Sequence, residues 1–476
     1  LGYSTAKKAY ETEQDFASIS SDLILMSQEM MQHNIMNFLL LAIAPMTTES
    51  HALKAWLNKL DSQHHKKMDF TLDRVRSVAQ KLKIHFDCPV IMVGGTNGKG
   101  SSCAFLESIY SQAGFKVATH TKPHLLHFSE RARFNQLCAS DEALIAAFER
   151  VEAARLETLP IVTLTYHEFT LLGILSWFMS CSPDVVVLEV GLGGRLDAVN
   201  IIDADVSIVT SVDLDHTEYL GDNREDIGWE KAHIFRPGKP AICADPVPPQ
   251  RLQAYAKTIG ADLWLFGRDF NYSGDKQQWN WTGRGARRSA MAYPGLRGAN
   301  QLLNASAALA AIEVLKSRLP VMQSAVRTGL LQVQLPGRFQ VLPGQPTIIL
   351  DVAHNPHAAS VLAVNLDNMG YFPFTLAVFG AMADKDIAQI IDKLKDRIDH
   401  WLLTDLPVSR AATAQQLQEQ LFKLGITPAK NRVIECCPSP AHALARARQL
   451  AGQTDRIVVF GSFYTVGGAL ESQTAQ

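Results

Sequence analysis

From about residue 50 onward, the apolar positions fall into two alternating patterns. Residues 51–60 and 72–82 carry them at helical spacing. Residues 89–93 form a short apolar run that enters a glycine-rich turn, and residues 101–113 read as a helix stopped at Gly114. Unbroken apolar runs at 185–190, 206–212, 240–243 and 263–266 predict buried strands, with helical stretches between several of them. Such runs alternating with helices point to a parallel sheet covered on both faces. Residues 271–288 break the pattern. They are rich in Gly, Gln, Trp and Arg and predict an irregular hairpin or surface excursion. A long Ala/Leu helix is predicted over 300–315. After Pro336-Gly337 a second series begins, with strand-like runs at 347–352, 376–379, 401–404 and 457–460. The pattern predicts two α/β domains, residues 46–335 and 336–476, with a boundary near Pro336.

Composition narrows the class. The 476 residues are 47% hydrophobic and 19% charged, which excludes a disordered chain. A formal net charge of −2 gives no global field that would draw in nucleic acid or an anionic membrane, so any anionic ligand needs a local site. The seven cysteines (Cys88, Cys103, Cys138, Cys181, Cys243, Cys436 and Cys437) show no CxxC spacing and are odd in number. They read as buried cytosolic thiols rather than a disulfide framework or a zinc site. Before residue 46 the strongest apolar run, 38–44, is too short to span a bilayer. It ends in Ala-Ile-Ala, as signal-peptidase sites do, but Pro45 follows and the preceding region is long and carries acids. Residues 1–45 are expected to be a poorly packed, dispensable extension, and the protein a cytoplasmic monomer with no membrane or nucleic-acid partner.

The most informative local feature is the run Gly94-Gly95-Thr96-Asn97-Gly98-Lys99-Gly100-Ser101 between a predicted strand and a predicted helix. Glycines let backbone N–H groups wrap phosphate oxygens, and the helix N-terminus adds a favourable dipole. Lys99 supplies a point charge for the β/γ-phosphates, and the Ser101 hydroxyl suits Mg²⁺. The glycine spacing is shorter than in the common P-loop, and Gly100 separates Lys99 from Ser101. Further along, Glu189 ends an apolar strand, and Asp213, Asp215 and His216 follow another. Open α/β sheets place ligands at such strand ends. Lys231 lies in Trp229-Glu230-Lys231-Ala232. Taken singly, each also reads as a solvated acid, a cap or a surface lysine.

Together these stretches resemble the folylpolyglutamate synthase family, including its bacterial bifunctional dihydrofolate synthase members. The resemblance is carried by residues 95–101, Pro123-His124-Leu125, 188–200, Asp215-His216-Thr217, Glu230-Lys231-Ala232, 335–339 and 351–357, in order along nearly the whole chain from residue 50 to Gly468. The more distant Mur ligases share the loop but look less similar over 188–197. The resemblance implies an α/β fold with a P-loop parallel-sheet ATPase domain and a smaller Rossmann-like C-terminal domain. It implies ATP phosphates on Gly95, Thr96, Asn97, Gly98, Lys99, Gly100 and Ser101, with Asn304, Arg338 and Asp351 also contacting ATP. It implies one or two Mg²⁺ ions at Glu189 and His216, with Ser101, and with Lys231 carbamylated to N6-carboxylysine as a further ligand. Thr165, Tyr166, His167, Glu168, Leu196, Asp197 and Ala198 match segments that cradle the pterin substrate, as do Lys67 to Phe70, with Asp197 as the polar anchor.

The implied activity is an ATP-dependent ligase adding L-glutamate to dihydropteroate and to reduced folates through an acyl phosphate. A carboxylate is a poor acyl donor because its leaving group would be oxide, and phosphorylation removes that obstacle. Catalytic weight then falls on Lys99, Lys231, His216 and Glu189. One departure stands out. Where relatives carry a metal-binding Ser before Pro-His-Leu, this chain has Lys122. A protonated lysine cannot ligate a metal, so either Thr121 takes over or the Lys122 ammonium partly replaces the cation. The competing readings are a Mur-type amino-acid ligase and a non-catalytic ATP-binding module.

Overall fold

The computed structural model describes residues 49–66, 69–275 and 277–474. The expected extension 1–45, the start of the first domain at 46–48, and Lys67 and Met68 of the expected pterin segment lie outside the described residues.

Eight strands form the first sheet: β1 (Val90–Gly94), β2 (Val117–His120), β3 (Ala132–Phe134), β4 (Leu137–Cys138), β5 (Val185–Glu189), β6 (Val206–Val209), β7 (Pro240–Cys243) and β8 (Asp262–Leu265). Their order is β4-β3-β2-β5-β1-β6-β7-β8, parallel except for β3 and β4 at one edge. The apolar runs are unbroken because each strand feeds two cores. Val90 and Met92 enter the core beneath the helix Tyr166–Cys181, while Ile91 and Val93 enter the core beneath the helices Lys99–Gln112 and Gln301–Val314. A sheet buried on both faces leaves no polar side to alternate with.

The segment expected as an irregular hairpin or surface excursion is a three-stranded antiparallel sheet, β9 (Phe270–Gly274), β10 (Gln278–Gly283) and β11 (Ala286–Ala292), whose β10–β11 register shifts between Trp279 and Trp281. Trp279 and Trp281 are two residues apart on β10, both fully buried in the second core. The Trp281 indole N–H donates to the Ser306 carbonyl at 3.2 Å, tying the hairpin to the helix Gln301–Val314. Two indoles at strand spacing were the apolar signal there, diluted by polar neighbours.

A six-stranded sheet follows: β12 (Gln340–Leu342), β13 (Thr347–Asp351), β14 (Thr375–Phe379), β15 (His400–Thr404), β16 (Ile434–Cys437) and β17 (Arg456–Phe460), ordered β12-β13-β17-β14-β15-β16. Only β12 runs antiparallel. Pro336 falls between the helix Gln323–Gln332 and β12, so it separates the two large sheets. Both lie within one compact unit, Glu49–Glu471. Among the described residues, no helix is long and apolar enough to cross a membrane. The ends of β1, β5, β6 and β13 reach a single cavity, which positions the residues considered next.

Candidate active site

The cavity measures about 1040 Å³ and takes in the glycine loop, Glu189, His216, Lys231, Asn304, Arg338 and Asp351. The loop joins β1 to the helix Lys99–Gln112. Two of its glycines are required by geometry. Gly95 has φ +139° and Gly98 φ +92°, and a β-carbon would collide with the Thr210 hydroxyl at the first and with the Asn304 carboxamide at the second. Ser101 sits, buried, in the first turn of the helix. Lys99 Nζ folds back to donate to the Gly95 and Thr96 carbonyls, each at 3.0 Å. Lys231 Nζ donates to the same Gly95 carbonyl at 3.0 Å. Burial, reinforced by the neighbouring Lys99 charge, brings the Lys231 amine down to about 7. An amine so placed is substantially neutral, and therefore nucleophilic, near pH 7.

Glu189, the last residue of β5, is buried and accepts one hydrogen bond from the Lys122 backbone N–H at 3.1 Å. Burial raises its carboxyl above the usual range, against the pull of Lys99. The open side of Gly100 faces two charges from different domains: a β-carbon there would lie 3.8 Å from both Glu189 Oε2 and Arg338 Nη2. Arg338 is also stacked 5.0 Å from the Phe463 ring. Asp351 closes β13 and accepts from the Phe339 and Ala353 backbone N–H groups at 3.0 and 2.8 Å. Burial lifts its carboxyl to about 6. Asn304 is held at 3.2 Å by Gln301 on its own helix.

His216 has left-handed backbone geometry, φ +52°, just before the short helix Thr217–Leu220. Its imidazole is depressed by burial, although Asp215 opposes the shift. Asp215 itself belongs to a junction between the two large sheets. Lys385 donates to it at 2.7 Å and Asn355 at 3.2 Å, while Asn355 and Asn97 exchange carboxamide contacts at 3.1 and 3.4 Å. Burial works against the Asp215 carboxylate, but His216 and Lys385 outweigh it and hold the group well below the usual range. The glycine loop is thereby hydrogen-bonded directly to the second sheet's loop.

Elsewhere in the lining, Lys122, His167 and Asp197 form a cluster. Lys122 Nζ lies 3.3 Å from each Asp197 oxygen and 2.8 Å from His167 Nε2. Burial works against the Asp197 carboxylate, yet Lys122 and His167 keep it well below its ordinary range. Among the described residues of the expected pterin segments, only His167 and Asp197 line the cavity. Thr165 and Glu168 form the capping box of the helix Tyr166–Cys181, and Glu168 also takes an ion pair from Arg74 at 2.9 Å. Tyr166, Leu196 and Ala198 stand behind the wall, with the Tyr166 ring facing Arg131 at 6.0 Å. Asp69 pairs with Arg74, and Phe70 is partly exposed against Tyr219. Thr121 is outside the lining; its hydroxyl is engaged by Arg133 at 3.0 Å.

Arg131, Asn355 and Lys385 had been given no role from sequence. Arg131 lines the cavity, with its Nε bonded to His124 at 2.8 Å and no carboxylate within ion-pair distance among the described residues, so its guanidinium edge is available to an anion. Its only sequence signal was its place nine residues after Lys122, which by itself says nothing.

Two parts of the chain match Mur ligase models: the Mur ligase middle domain over residues 93–312 and the Mur ligase glutamate ligase domain over residues 337–463. The dihydrofolate synthase/folylpolyglutamate synthase of Escherichia coli (strain K12) is 40% identical over 420 residues, covering 88% of this chain and 95% of that protein. This chain belongs to the dihydrofolate synthase/folylpolyglutamate synthase family. Solved members have the same fold. Escherichia coli FolC in complex with DHPP and ADP aligns with TM-score 0.83 at 40% identity, covering 90% of this chain and 99% of that one. The bifunctional enzyme from Yersinia pestis, complexed with AMPPNP and Mn ion, aligns with TM-score 0.80 at 38% identity over 90% and 99%.

The family implies a divalent cation, and the donors fit one. Glu189 has a single protein hydrogen bond and so keeps lone pairs for an ion. Carboxylate, hydroxyl and imidazole around a phosphate-binding loop suit a hard cation that shares its shell with phosphate and water. Among the described residues, no three His, Cys, Asp or Glu side chains are grouped closely enough to enclose a metal alone.

Proposed function

We propose that this protein is an ATP-dependent carbon–nitrogen ligase that adds L-glutamate to dihydropteroate and to reduced folates. The observation that carries this is the meeting, in one cavity, of the glycine loop with Lys99, the strand-end Glu189 and the second-domain Arg338 and Asp351. Family relatives carrying both synthase activities in their names, and a relative solved with ADP and DHPP, support the substrate pair.

The loop N–H groups and Lys99 hold the triphosphate and offset charge as the γ-phosphoryl group moves to the acid's carboxylate. Mg²⁺, one ion or two, neutralises the phosphate oxygens when bound at Glu189, His216 and Ser101. Lys231 completes that set as N6-carboxylysine: its neutral amine attacks CO₂, forms the N–C bond and releases one proton, becoming an anionic oxygen donor. Asn304, Arg338 and Asp351 hold the rest of the nucleotide. The glutamate amine then displaces phosphate from the acyl phosphate. Asp215, Lys385, Asn97 and Asn355 keep the two domains together so that water is excluded from that intermediate. The domain limits 46–335 and 336–476, a monomeric state and a cytoplasmic setting, the last supported by seven free thiols, complete this reading.

ADP release from the purified enzyme tests it. Release should require both a folate-type acid and glutamate. Release indifferent to both would make the protein an ATPase, and release driven by UDP-muramyl acids would make it a Mur-type ligase.

A further inference from the structure

Lys231 lies in the last turn of the helix Arg224–Ala232, and that turn is gripped from behind the cavity wall. Arg195, on the chain leaving β5, stands outside the cavity lining. Its backbone N–H donates to the Glu230 carbonyl at 3.1 Å. Its guanidinium donates to the Glu230 carboxylate, from Nη2 at 2.9 Å and from Nε at 3.1 and 3.2 Å. The same guanidinium lies 5.3 Å from the Trp229 ring. Gly194 permits this approach, since a β-carbon there would come within 2.8 Å of the Glu230 carbonyl oxygen and 3.0 Å of that of Lys231. The Asn200 side-chain amide then donates to the Arg195 and His233 carbonyls, each at 3.2 Å, so one carboxamide serves both segments.

The helix Gln250–Thr258 holds the other side of this turn. Arg251 lies 5.3 Å from the Trp229 ring, and Tyr255 stacks on His233 with ring centres 4.0 Å apart. His233 Nδ1 donates to the Trp229 carbonyl at 2.7 Å. Of residues 229–233, Lys231 alone lines the cavity. Its Nζ makes one hydrogen bond, to the Gly95 carbonyl at 3.0 Å. A long stem with a single contact at its tip takes its direction from the backbone that carries it. Arg195 fixes that backbone on two successive residues, and a bidentate guanidinium sets an orientation as well as a charge.

We infer that Arg195 is a positioning residue for the carbamate on Lys231, acting through Trp229 and Glu230 from outside the cavity. In the carbamylation step the amine lone pair forms the N–C bond to CO₂. One C=O electron pair moves onto oxygen, and the nitrogen gives one proton to solvent. The product is planar and anionic, and its oxygens have to stay turned into the cavity. Holding the helix turn in advance removes part of the ordering cost, so the carbamate forms at lower CO₂. Without the tether, the last turn of this nine-residue helix frays, as helix ends do. The inference rests on the Lys231 carbamate of the proposed function and on nothing about how the acid binds.

Bicarbonate dependence tests it. Arg195→Met removes the bidentate pair, while Arg195→Lys keeps a charge beside Glu230 and guards against loss of the fold. Enzyme equilibrated with ¹³C-bicarbonate is read by ¹³C NMR of the carbamate carbon, with Lys231→Met, which has no amine, identifying the signal. The bicarbonate concentration giving half the full signal should rise about fivefold in Arg195→Met, the order of one partly exposed bidentate pair, and about twofold in Arg195→Lys. Adding Glu230→Gln to Arg195→Met should change it little further, because both remove the same contact. At saturating bicarbonate, ADP release dependent on acid and glutamate should return to within about twofold of wild type. A purely structural role would lower the unfolding temperature and leave the half-saturating bicarbonate unchanged, which overturns the inference. A loss of turnover that bicarbonate does not restore overturns it too. A wild-type enzyme with no carbamate signal removes the Lys231 carbamate and this inference together, while ADP release dependent on acid and glutamate would leave the ligase reading standing.

Discussion

In the glycine loop, seven consecutive residues, Gly95 to Ser101, form the proposed triphosphate site. In the second cluster, Lys122, His167 and Asp197 come from separate segments, with Lys122 45 and 75 positions from its two partners. The first site is a property of one turn of chain, preset by positive-φ glycines and a helix N-terminus. The second exists only where β2, β5 and the helix Tyr166–Cys181 bring three distant segments together. A contiguous site has one replaceable cation at its centre, whereas a dispersed network spreads its work over several contacts. Single substitutions should therefore be far more damaging at the first site than at the second.

The largest effect tests that contrast most directly. Lys99→Ala should lower kcat at least about a hundredfold, since it removes charge stabilisation of the transferring phosphoryl group. Thermal unfolding should change little, because Lys99 bonds only two loop carbonyls. Near-normal turnover would break the comparison.

A smaller effect comes from pH at Lys231, which is bonded to the glycine loop. Its folded value of about 7 lies below the ordinary 10.5. In the proposed carbamylation the amine reacts with CO₂ only when neutral, so the modification should be favoured above pH 7 and lost below it. In enzyme equilibrated with bicarbonate, activity should fall roughly fivefold from pH 7 to 6, steeper than any change in Lys231-independent ATP binding. The unmodified folded state binds fewer protons than the unfolded chain between about 7 and 10.5, so stability of bicarbonate-free protein should rise with pH across that window. A flat activity profile through pH 7 would remove Lys231 from the site.

The smallest effect is expected beside Lys122. Thr121→Val should leave turnover and Mg²⁺ dependence within about threefold, because its hydroxyl serves Arg133 and does not line the cavity. A large shift in Mg²⁺ dependence would mean that Thr121 supplies the ligand that relatives take from the position of Lys122.

Much of the scaffold was legible from the chain. The strands β1, β5, β6, β7 and β13 fall on the apolar runs within a residue or a few, because a strand buried on both faces needs no alternation to be recognised. β2, β12 and β16 were not foreseen. They are three or four residues long, and Gln340–Leu342 is only partly buried, too short a run for period to show. For β9–β11 the reading reached only an irregular hairpin or excursion, because two tryptophans in a polar stretch do not reveal a third strand or a buried face until a helix is laid beneath them.

By itself, the sequence marked a loop built to hold phosphate. Glycine spacing, a following lysine and a helix start are local, and backbone geometry alone converts them into a cradle. It also marked Glu189 as a strand-end group, since strand ends are set by local apolar runs, whereas His216 lies seven residues past the end of β6, just before the helix Thr217–Leu220. Only the tertiary structure decided that Arg338 faces Glu189 across Gly100, that Asp215 is clasped by Lys385, and that Asp197 is bonded both by its own turn and by Lys122. Those outcomes depend on which lone pairs and protons are left over after distant segments pack. No one-dimensional pattern records that remainder.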